Sequence, residues 1–391
     1  RGAVPFVAVL IGTLKYRADT SLWRPPPDTD LSGKVAVITG GNSGLGLAVS
    51  KSLAALGARV VITCRSVPKC ERAVKEINGA TETDGTAGGP AARYALLDLS
   101  SLKSARNLAV RLSAEYPSGI HFLFLNAGST PRHELTEDGF EDGFGGMHLA
   151  HMAVALGLMP SLRSGGSEDR PSRVVVVTSA AGLSAACGHL GGGSEMFGPG
   201  FGVEEEERAT TEDVNKEREE RGAVDLHGEV TRGDGTMLPS LRAYGRAKLC
   251  NILFARELNR RLKGRRWFVV ANALHTGPIG SKPSVDGMGS MFQGVPGLPF
   301  VTTRILLPLL WRSLEEGSRL MLFAALSDSL PPMREGGQYL NGMNCPMTRE
   351  ASRVRMGCLE RAEEKWAKRL WTVSLELLGD SPARDVVGMA P

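Results

Sequence analysis

Residues 34–46 read KVAVITGGNSGLG, an apolar run followed directly by a cluster of glycines. The apolar run predicts a buried strand, because a strand covered on both faces has no polar alternation. Glycines between a strand and a helix allow a tight turn and a close approach of the backbone to a pyrophosphate, whose charge the helix N-terminus stabilises. The stretch therefore indicates a dinucleotide-binding unit. Its candidate cofactor contacts are Gly40, Asn42, Ser43, Gly44, Leu45 and Gly46.

The same alternation of apolar runs and helix-period segments continues along the chain. Further strands are predicted at residues 58–63, 94–97, 121–125, 173–178 and 267–273. Helices are predicted at residues 45–56, 102–116, 241–262, 305–326 and 349–378. Alternating strands and helices predict an α/β fold with a Rossmann-type, doubly wound parallel sheet.

The composition is that of a soluble globular protein. The 391 residues are 42% hydrophobic and 23% charged, which excludes collagen-like, disordered and polytopic membrane classes. The net charge is +4 and no basic stripe is interleaved with aromatic residues, so we expect no nucleic acid partner. The six cysteines form no CxxC pair and have no metal-ligand spacing, so we expect a reducing compartment or inert thiols.

The length allows two average domains or one enlarged domain, and we expect the enlarged domain. About 250 residues suffice for a domain of this class, so the surplus is expected in additions to it. The domain is predicted at residues 33–379, with an N-terminal apolar arm and linker at 1–32 and a tail at 380–391. Within it we expect a charged insertion at 184–239, as a solvated loop or surface helix, and a substrate lid at 281–300. The Gly-, Met- and Pro-rich lid suits an apolar substrate.

The N-terminal arm contains VPFVAVLIGTL at residues 4–14. This apolar stretch is about half as long as the ~20 residues that a spanning helix needs. The end of a removed targeting segment, a clipped membrane anchor and a strip that docks on a partner all fit it. We therefore expect an intracellular protein that associates with an organelle, a membrane surface or a membrane complex through this arm.

The second predicted strand is followed by Cys64, Arg65 and Ser66. An NAD-binding protein would place an acidic residue there to hold the ribose hydroxyls. An acid would repel a 2′-phosphate, whereas the Arg65 guanidinium can pair with it. The position favours NADP(H) over NAD(H), and a plain surface arginine is the alternative.

A YxxxK pattern places Tyr244 and Lys248 one helical turn apart on a shared face. A phenol with a pKa of about 10 is a poor acid or base until a nearby cation stabilises its phenolate, and Lys248 is placed to do so. Ser179 ends a predicted strand and can hydrogen-bond a substrate carbonyl oxygen while Tyr244 exchanges its proton. Together the three candidate catalytic residues indicate hydride transfer to or from a carbonyl or an alcohol.

With these motifs the chain resembles the short-chain dehydrogenase/reductase superfamily, and within it the retinol dehydrogenase and protochlorophyllide oxidoreductase branch. The resemblance covers residues 33–379 except the insertion. It rests on six features: TGGNSGLG (39–46), Asp98 in LLDLS (96–100), the NAG motif (126–128), Ser179, YGRAKLCNILFARELNRRL (244–262) and RLWTVSLELLG (369–379).

The resemblance also implies roles for residues outside the glycine loop. Asp98 and Leu99 would lie against the adenine. The NAG residues Asn126, Ala127 and Gly128 would line the cofactor and stabilise the central strand. Tyr244 would also contact the cofactor, Lys248 would also hold the nicotinamide ribose, and Gly277 would lie in the loop over the nicotinamide.

Two positions depart from the family pattern. Family members carry an Asn in a stretch like NHLGH, where this chain reads MHLAH from Met147 to His151. The Asn carbonyl holds a water in the proton relay to the lysine, and Met147 cannot reproduce the part played by the Asn side chain. Thr276 replaces the proline of the usual Pro-Gly, so the loop over the nicotinamide is altered. His148 and His151 share a helix face, but no third ligand is evident, so no metal site is expected.

Two functions from different classes follow. The first is an NADP(H)-dependent oxidoreductase that acts on a hydrophobic carbonyl or alcohol, retinoid-like or another membrane-borne lipid. A light-driven protochlorophyllide reductase is a narrower form of it. The alternative is a catalytically weak or inactive family member that serves as a structural or accessory subunit of a larger membrane complex. Ser179, Tyr244 and Lys248 favour the enzyme, whereas Met147 and Thr276 favour the alternative.

Overall fold

A computed structural model describes the parts of the chain that form the sheet and its helices. It covers residues 23–80, 91–129, 134–179, 181–182, 238–263, 265, 267–277, 279–280, 312–327, 336–341 and 363–379. The apolar stretch 4–14, the lid 281–300 and the tail 380–391 lie outside these residues, so what was expected of them stays a prediction. Of the predicted insertion 184–239, only residues 238 and 239 are described, and they belong to a helix. In the described ranges, no helix combines the length and the apolar character that a membrane crossing requires.

Seven parallel strands form one sheet within the described residues. They are β1 (Val35–Thr39), β2 (Arg59–Cys64), β3 (Ala92–Leu96), β4 (Phe122–Leu125), β5 (Ser172–Val177), β6 (Val269–His275) and β7 (Tyr339–Asn341). Their order is β3-β2-β1-β4-β5-β6-β7, and every neighbouring pair is parallel. The predicted Rossmann-type α/β fold is confirmed.

Helices cover both faces of this sheet. They are α1 (Gly44–Ala55), α2 (Val67–Gly79), α3 (Leu102–Glu115), α4 (Ala150–Gly157), α5 (Met159–Gly165), α6 (Leu238–Leu262), α7 (Leu314–Leu326) and α8 (Glu363–Leu378). Successive residues of a strand point to opposite faces. Val35 and Val37 of β1 accordingly join the core under α3, α4, α6 and α8, whereas Ala36 and Ile38 join the core under α1, α2 and α7.

The winding of the chain changes direction at β1. This strand pairs with β2 on one side and with β4 on the other. In open parallel sheets, a crevice forms outside the carboxyl ends of the strands at such a switch point. Thr39 ends β1 and Leu125 ends β4, so the TGGNSGLG and NAG motifs follow adjacent strands at this crevice.

The predicted strand boundaries agree with the sheet to within two residues. Strand β7 was not predicted, because its three residues are too few to form an apolar pattern. The helix expected from residue 305 begins instead at Leu314, so that predicted start is wrong. Ser313 caps this helix by accepting a hydrogen bond from the Glu316 N–H, and Arg312 before it forms a β-bridge with Ile279.

Two cysteines contradict the expectation of unpaired thiols. Cys64 at the end of β2 and Cys70 in the second turn of α2 form a disulfide bond, with their Cα atoms 6.0 Å apart. The pairing was missed because it depends on how α2 folds back beside the end of β2, which no spacing rule encodes. Cys250 is free and buried, in keeping with the inert thiols expected from the sequence.

Candidate active site

The glycine loop that joins β1 to α1 is closely packed. Gly40 and Gly44 have φ values of 65° and 54°, in the left-handed region that favours glycine. A Cβ on Gly46 would lie 2.3 Å from the Gly40 carbonyl oxygen, so only glycine fits there. Ser43 is the N-cap residue and makes no side-chain cap hydrogen bond. The first N–H groups of α1 are therefore not taken up by that hydroxyl and can meet an anion.

The NAG motif is tied to the end of β1 through Thr39. The Asn126 side-chain amide donates to the Thr39 carbonyl oxygen (2.9 Å), and the Asn126 backbone N–H donates to the Thr39 hydroxyl (2.8 Å). The Ala127 N–H donates to the same hydroxyl at 3.0 Å. A Cβ on Gly46 would also lie 2.6 Å from the Asn126 amide nitrogen. Asn126 thus lies between the glycine loop and the end of the central strands.

Arg65 and Asp98 follow the carboxyl ends of neighbouring strands β2 and β3. The Arg65 side chain is exposed. The Asp98 carboxylate accepts hydrogen bonds from the Ser100 N–H and the Ser100 hydroxyl, both at 2.9 Å, and Leu99 beside it is partly buried. Both charged residues lie at the sheet edge that holds the glycine loop.

Ser179, Tyr244 and Lys248 come together at the same edge. Ser179 lies two residues beyond the end of β5, and α6 carries the other two residues. The Ser179 side chain is close enough to the Tyr244 phenol to favour its deprotonated form and so to lower its pKa. The Lys248 Nζ lies 5.5 Å from the centroid of the Tyr244 ring and donates to the Val177 carbonyl oxygen at 3.2 Å. The Thr178 hydroxyl donates to the Lys248 carbonyl oxygen at 2.6 Å, which fixes α6 to the end of β5.

Burial controls the proton affinity of this cluster. Desolvation lowers the pKa of Lys248 to about 8, because its side chain is buried with few groups to compensate its charge. Burial raises the pKa of Tyr244, and the nearby Ser179 side chain offsets part of that rise. The net pKa shift of the Tyr244 phenol is therefore upward in this structure, and the stabilisation of its phenolate by Lys248 stays a prediction. The Tyr244 phenol holds its proton at neutral pH.

Met147 lies beside Lys248 in an unusual stretch of helix. A one-turn helix, Asp142–Phe144, leads into a π-helical turn, Gly145–Leu149, that continues as α4. Such π-helical turns occur frequently at functional sites. A Cβ on Gly128 would lie 3.1 Å from the Lys248 Nζ and 3.2 Å from the Met147 sulfur. The thioether and the ammonium group therefore both border Gly128.

The altered loop after β6 keeps its backbone conformation at Gly277. This glycine has a φ of 83°, and Thr276 before it is buried. The glycine meets the conformational requirement of the turn, so the replacement of proline by Thr276 does not remove it.

The two histidines of the MHLAH stretch bind different partners. The His148 Nε2 hydrogen-bonds the Ser374 hydroxyl at 2.9 Å. The His151 Nε2 hydrogen-bonds the Thr39 hydroxyl at 3.0 Å, a contact that the sequence did not indicate because 112 positions separate the pair. The described ranges contain no group of three or more His, Cys, Asp or Glu residues that could hold a metal ion.

Known proteins share both sequence and fold with this chain. A family model described as short chain dehydrogenase matches residues 34–189. Retinol dehydrogenase 12 of Mus musculus is 33% identical over 360 residues, which cover 90% of this chain and 88% of that protein. Retinol dehydrogenase 13 of Homo sapiens is 29% identical over 358 residues, which cover 90% of this chain and 87% of that protein.

A solved structure agrees with these relatives. The crystal structure of an uncharacterized protein from Mycobacterium paratuberculosis has a TM-score of 0.53 and 25% sequence identity, over 92% of this chain and 98% of that chain. Sequence, sheet topology and motif positions lead to the same family, whose members use nicotinamide cofactors. The chain is an oxidoreductase that belongs to the short-chain dehydrogenase/reductase superfamily, in its retinol dehydrogenase branch.

Proposed function

We propose that this chain transfers a hydride between NADP(H) and a hydrophobic carbonyl or alcohol of the retinoid type. The observation that carries the proposal is the contact of Ser179, Tyr244 and Lys248 at the sheet edge that also holds the glycine loop. The retinol dehydrogenases among the relatives support the substrate class.

The residues at the crevice fit a dinucleotide. Gly46 leaves no space for a side chain, which lets the start of α1 pack directly against Gly40 and Asn126. The N–H groups of the first turn of α1 would hold the pyrophosphate. Asp98 would lie toward the adenine, and the exposed Arg65 guanidinium would pair with a 2′-phosphate. When bound, the reduced cofactor supplies the hydride.

The chain's own residues would handle the proton. In the reducing direction, the Tyr244 phenol donates its proton to the substrate carbonyl oxygen while the carbonyl carbon accepts the hydride. The Ser179 hydroxyl orients that oxygen, and the Lys248 ammonium stabilises the phenolate that remains on Tyr244. Because burial raises the pKa of Tyr244, the phenol holds its proton before the reaction but is a weaker acid, and the Lys248 ammonium would offset this as the phenolate forms.

A cofactor and substrate panel tests this function. The purified chain is mixed with NADPH or NADH and with retinaldehyde, a medium-length aliphatic aldehyde or a small polar aldehyde, and cofactor oxidation is followed by absorbance. We expect the highest kcat/KM with NADPH and retinaldehyde. A preference for NADH would contradict the cofactor assignment, and a preference for the polar aldehyde would contradict the substrate class. No turnover under any condition would favour the accessory-subunit alternative.

A further inference from the structure

Both ring nitrogens of His151 are hydrogen-bonded in the protein interior. The side chain is 2% exposed. Its Nδ1 lies 3.1 Å from the Met147 carbonyl oxygen, in the π-helical turn, and its Nε2 lies 3.0 Å from the Thr39 hydroxyl at the end of β1. One imidazole therefore bridges the helix beside Lys248 and the strand that leads into the glycine loop.

The partners of the ring decide where its proton lies. A carbonyl oxygen only accepts hydrogen bonds, so the Nδ1 facing Met147 must carry the hydrogen. The ring is neutral at physiological pH, because burial lowers its pKa to about 3, with the nearby charge of Lys248 acting in the same direction. The Nε2 is then a bare acceptor, and the Thr39 hydroxyl must donate to it.

With the Thr39 hydroxyl as the donor to His151, each of its hydrogen-bonding sites has a partner. Its hydroxyl has one hydrogen and two lone pairs. With the hydrogen directed to His151, both lone pairs are free to accept the N–H groups of Asn126 and Ala127, at 2.8 and 3.0 Å. The Phe124 carbonyl oxygen is a competing acceptor for the Thr39 hydrogen at 3.2 Å, a longer distance than the 3.0 Å to His151.

We infer that His151, protonated on Nδ1, is a positioning residue that joins the Met147 carbonyl to the Thr39 hydroxyl and thereby fixes the NAG motif against the glycine loop. It touches no reacting atom and acts through Thr39, Asn126 and Ala127. Its effect on cofactor affinity rests on the proposed function, whereas its tautomer does not.

His148 is a matched control on the same stretch of chain. It is equally buried, at 1% exposed, and burial lowers its pKa to the same value of about 3. Its Nε2 is hydrogen-bonded to Ser374 of α8 and not to Thr39. A substitution there disturbs the core to a similar degree without breaking the bridge to Thr39.

The first test determines the tautomer of His151 directly. The protein is labelled with ¹⁵N-histidine, long-range proton–nitrogen correlations are recorded between pH 6 and 8, and the His151 signals are assigned by their loss in His151→Gln. We expect a protonated Nδ1 and a bare Nε2 throughout this range. The opposite tautomer, or a ring that titrates within it, would overturn the inference. This experiment needs neither cofactor nor turnover, so it is independent of the proposed function.

The second test compares variants by their Kd for NADPH, measured by cofactor fluorescence, and by their melting temperature. We expect His151→Phe to raise Kd at least tenfold and His151→Gln, which keeps a donor and an acceptor, to raise it less. His148→Phe should lower the melting temperature by a similar amount and leave Kd within twofold of the wild type. Equal increases in Kd for the two Phe variants would overturn the positioning role. A wild-type protein that binds no nicotinamide cofactor would contradict the proposed function instead.

A double variant distinguishes an effect of His151 through Thr39 from a general packing defect. Thr39→Val removes the hydroxyl through which His151 acts, so the combined change with His151→Phe should raise the Kd for NADPH no more than the larger of the two single changes. If the two effects multiply, His151 does not act through Thr39 and the inference fails. Thr39→Ser, which keeps the hydroxyl, should retain the sensitivity to His151→Phe.

Discussion

The sulfur of Met147 and the ammonium nitrogen of Lys248 both lie beside Gly128, 3.2 and 3.1 Å from the point where a side chain on that glycine would begin. A thioether is a weak hydrogen-bond acceptor. The ammonium group donates to the Val177 carbonyl oxygen, and desolvation lowers its pKa to about 8. We therefore expect the residue type at position 147 to influence the charge of Lys248.

Met147→Asn is expected to increase kcat. An amide oxygen at this position can accept a hydrogen bond from the Lys248 ammonium, which favours the charged form and the phenolate it stabilises on Tyr244. A gain of about tenfold corresponds to ~1.4 kcal/mol of transition-state stabilisation. The measurement is kcat for NADPH-dependent retinaldehyde reduction at pH 7 to 9. Met147→Leu, which stays apolar, should leave kcat unchanged, and an equal kcat for both variants would contradict the account.

The pKa of Lys248 predicts how stability depends on pH. Its folded value of about 8 lies below the ordinary value of 10.5, so between these values the unfolded chain binds more protons than the folded one. The free energy of unfolding therefore rises with pH in this window, by an amount on the order of 1–3 kcal/mol for this group. Urea unfolding of the wild type and Lys248→Met at pH 7.5 and 10 isolates the effect. The wild type should gain relative to the variant, and a loss would contradict the burial argument.

Arg65→Ala is expected to weaken NADPH binding and to leave NADH binding unchanged, because only the 2′-phosphate pairs with the guanidinium. The loss of a charge-assisted hydrogen bond to an ion costs about 1.5–3 kcal/mol, or roughly a tenfold to hundredfold rise in the Kd for NADPH. Arg72→Ala serves as the control, because Arg72 is also exposed but lies on α2. Equal Kd increases for NADPH and NADH would show that Arg65 does not bind the 2′-phosphate.

Reduction of the Cys64–Cys70 disulfide is expected to destabilise the protein. The bond closes a short loop between the end of β2 and α2, and the loss of loop constraint corresponds to about 2 kcal/mol of unfolding free energy. Urea unfolding with and without dithiothreitol measures this difference. Cys70→Ala should abolish the sensitivity to reductant, whereas Cys250→Ala, at a free buried thiol, should keep it. A wild type that responds no more than Cys70→Ala would rule out the disulfide in solution.

Local patterns predicted the parts of the fold that depend on local chemistry. The apolar strands and the glycine loop were readable because burial on both faces and a tight turn each restrict the residue types allowed. The start of α7 could also have been predicted, since Ser313 and Glu316 have the spacing of a capping box. The apolar pattern before them led instead to a predicted start at residue 305.

Features that depend on long-range packing were not predicted from the sequence. The contact of His151 with Thr39 joins residues that only the sheet topology brings together. The net direction of the Tyr244 pKa shift could not be predicted, because the pattern gave the distance to Lys248 along the helix but not the burial of both groups. Burial is a property of the folded chain, so the YxxxK spacing alone could not supply it.

The role of Tyr244 as proton donor is tested most directly by single-turnover oxidation of NADPH by retinaldehyde. Tyr244→Phe is compared with Tyr94→Phe, which lies on the edge strand β3. Tyr244→Phe is expected to slow turnover by about 10²-fold or more, because the general acid is lost, while Tyr94→Phe retains the wild-type rate. The Kd for NADPH should stay within twofold of the wild type in both variants. Undiminished turnover by Tyr244→Phe would contradict the assignment of Tyr244 as the proton donor.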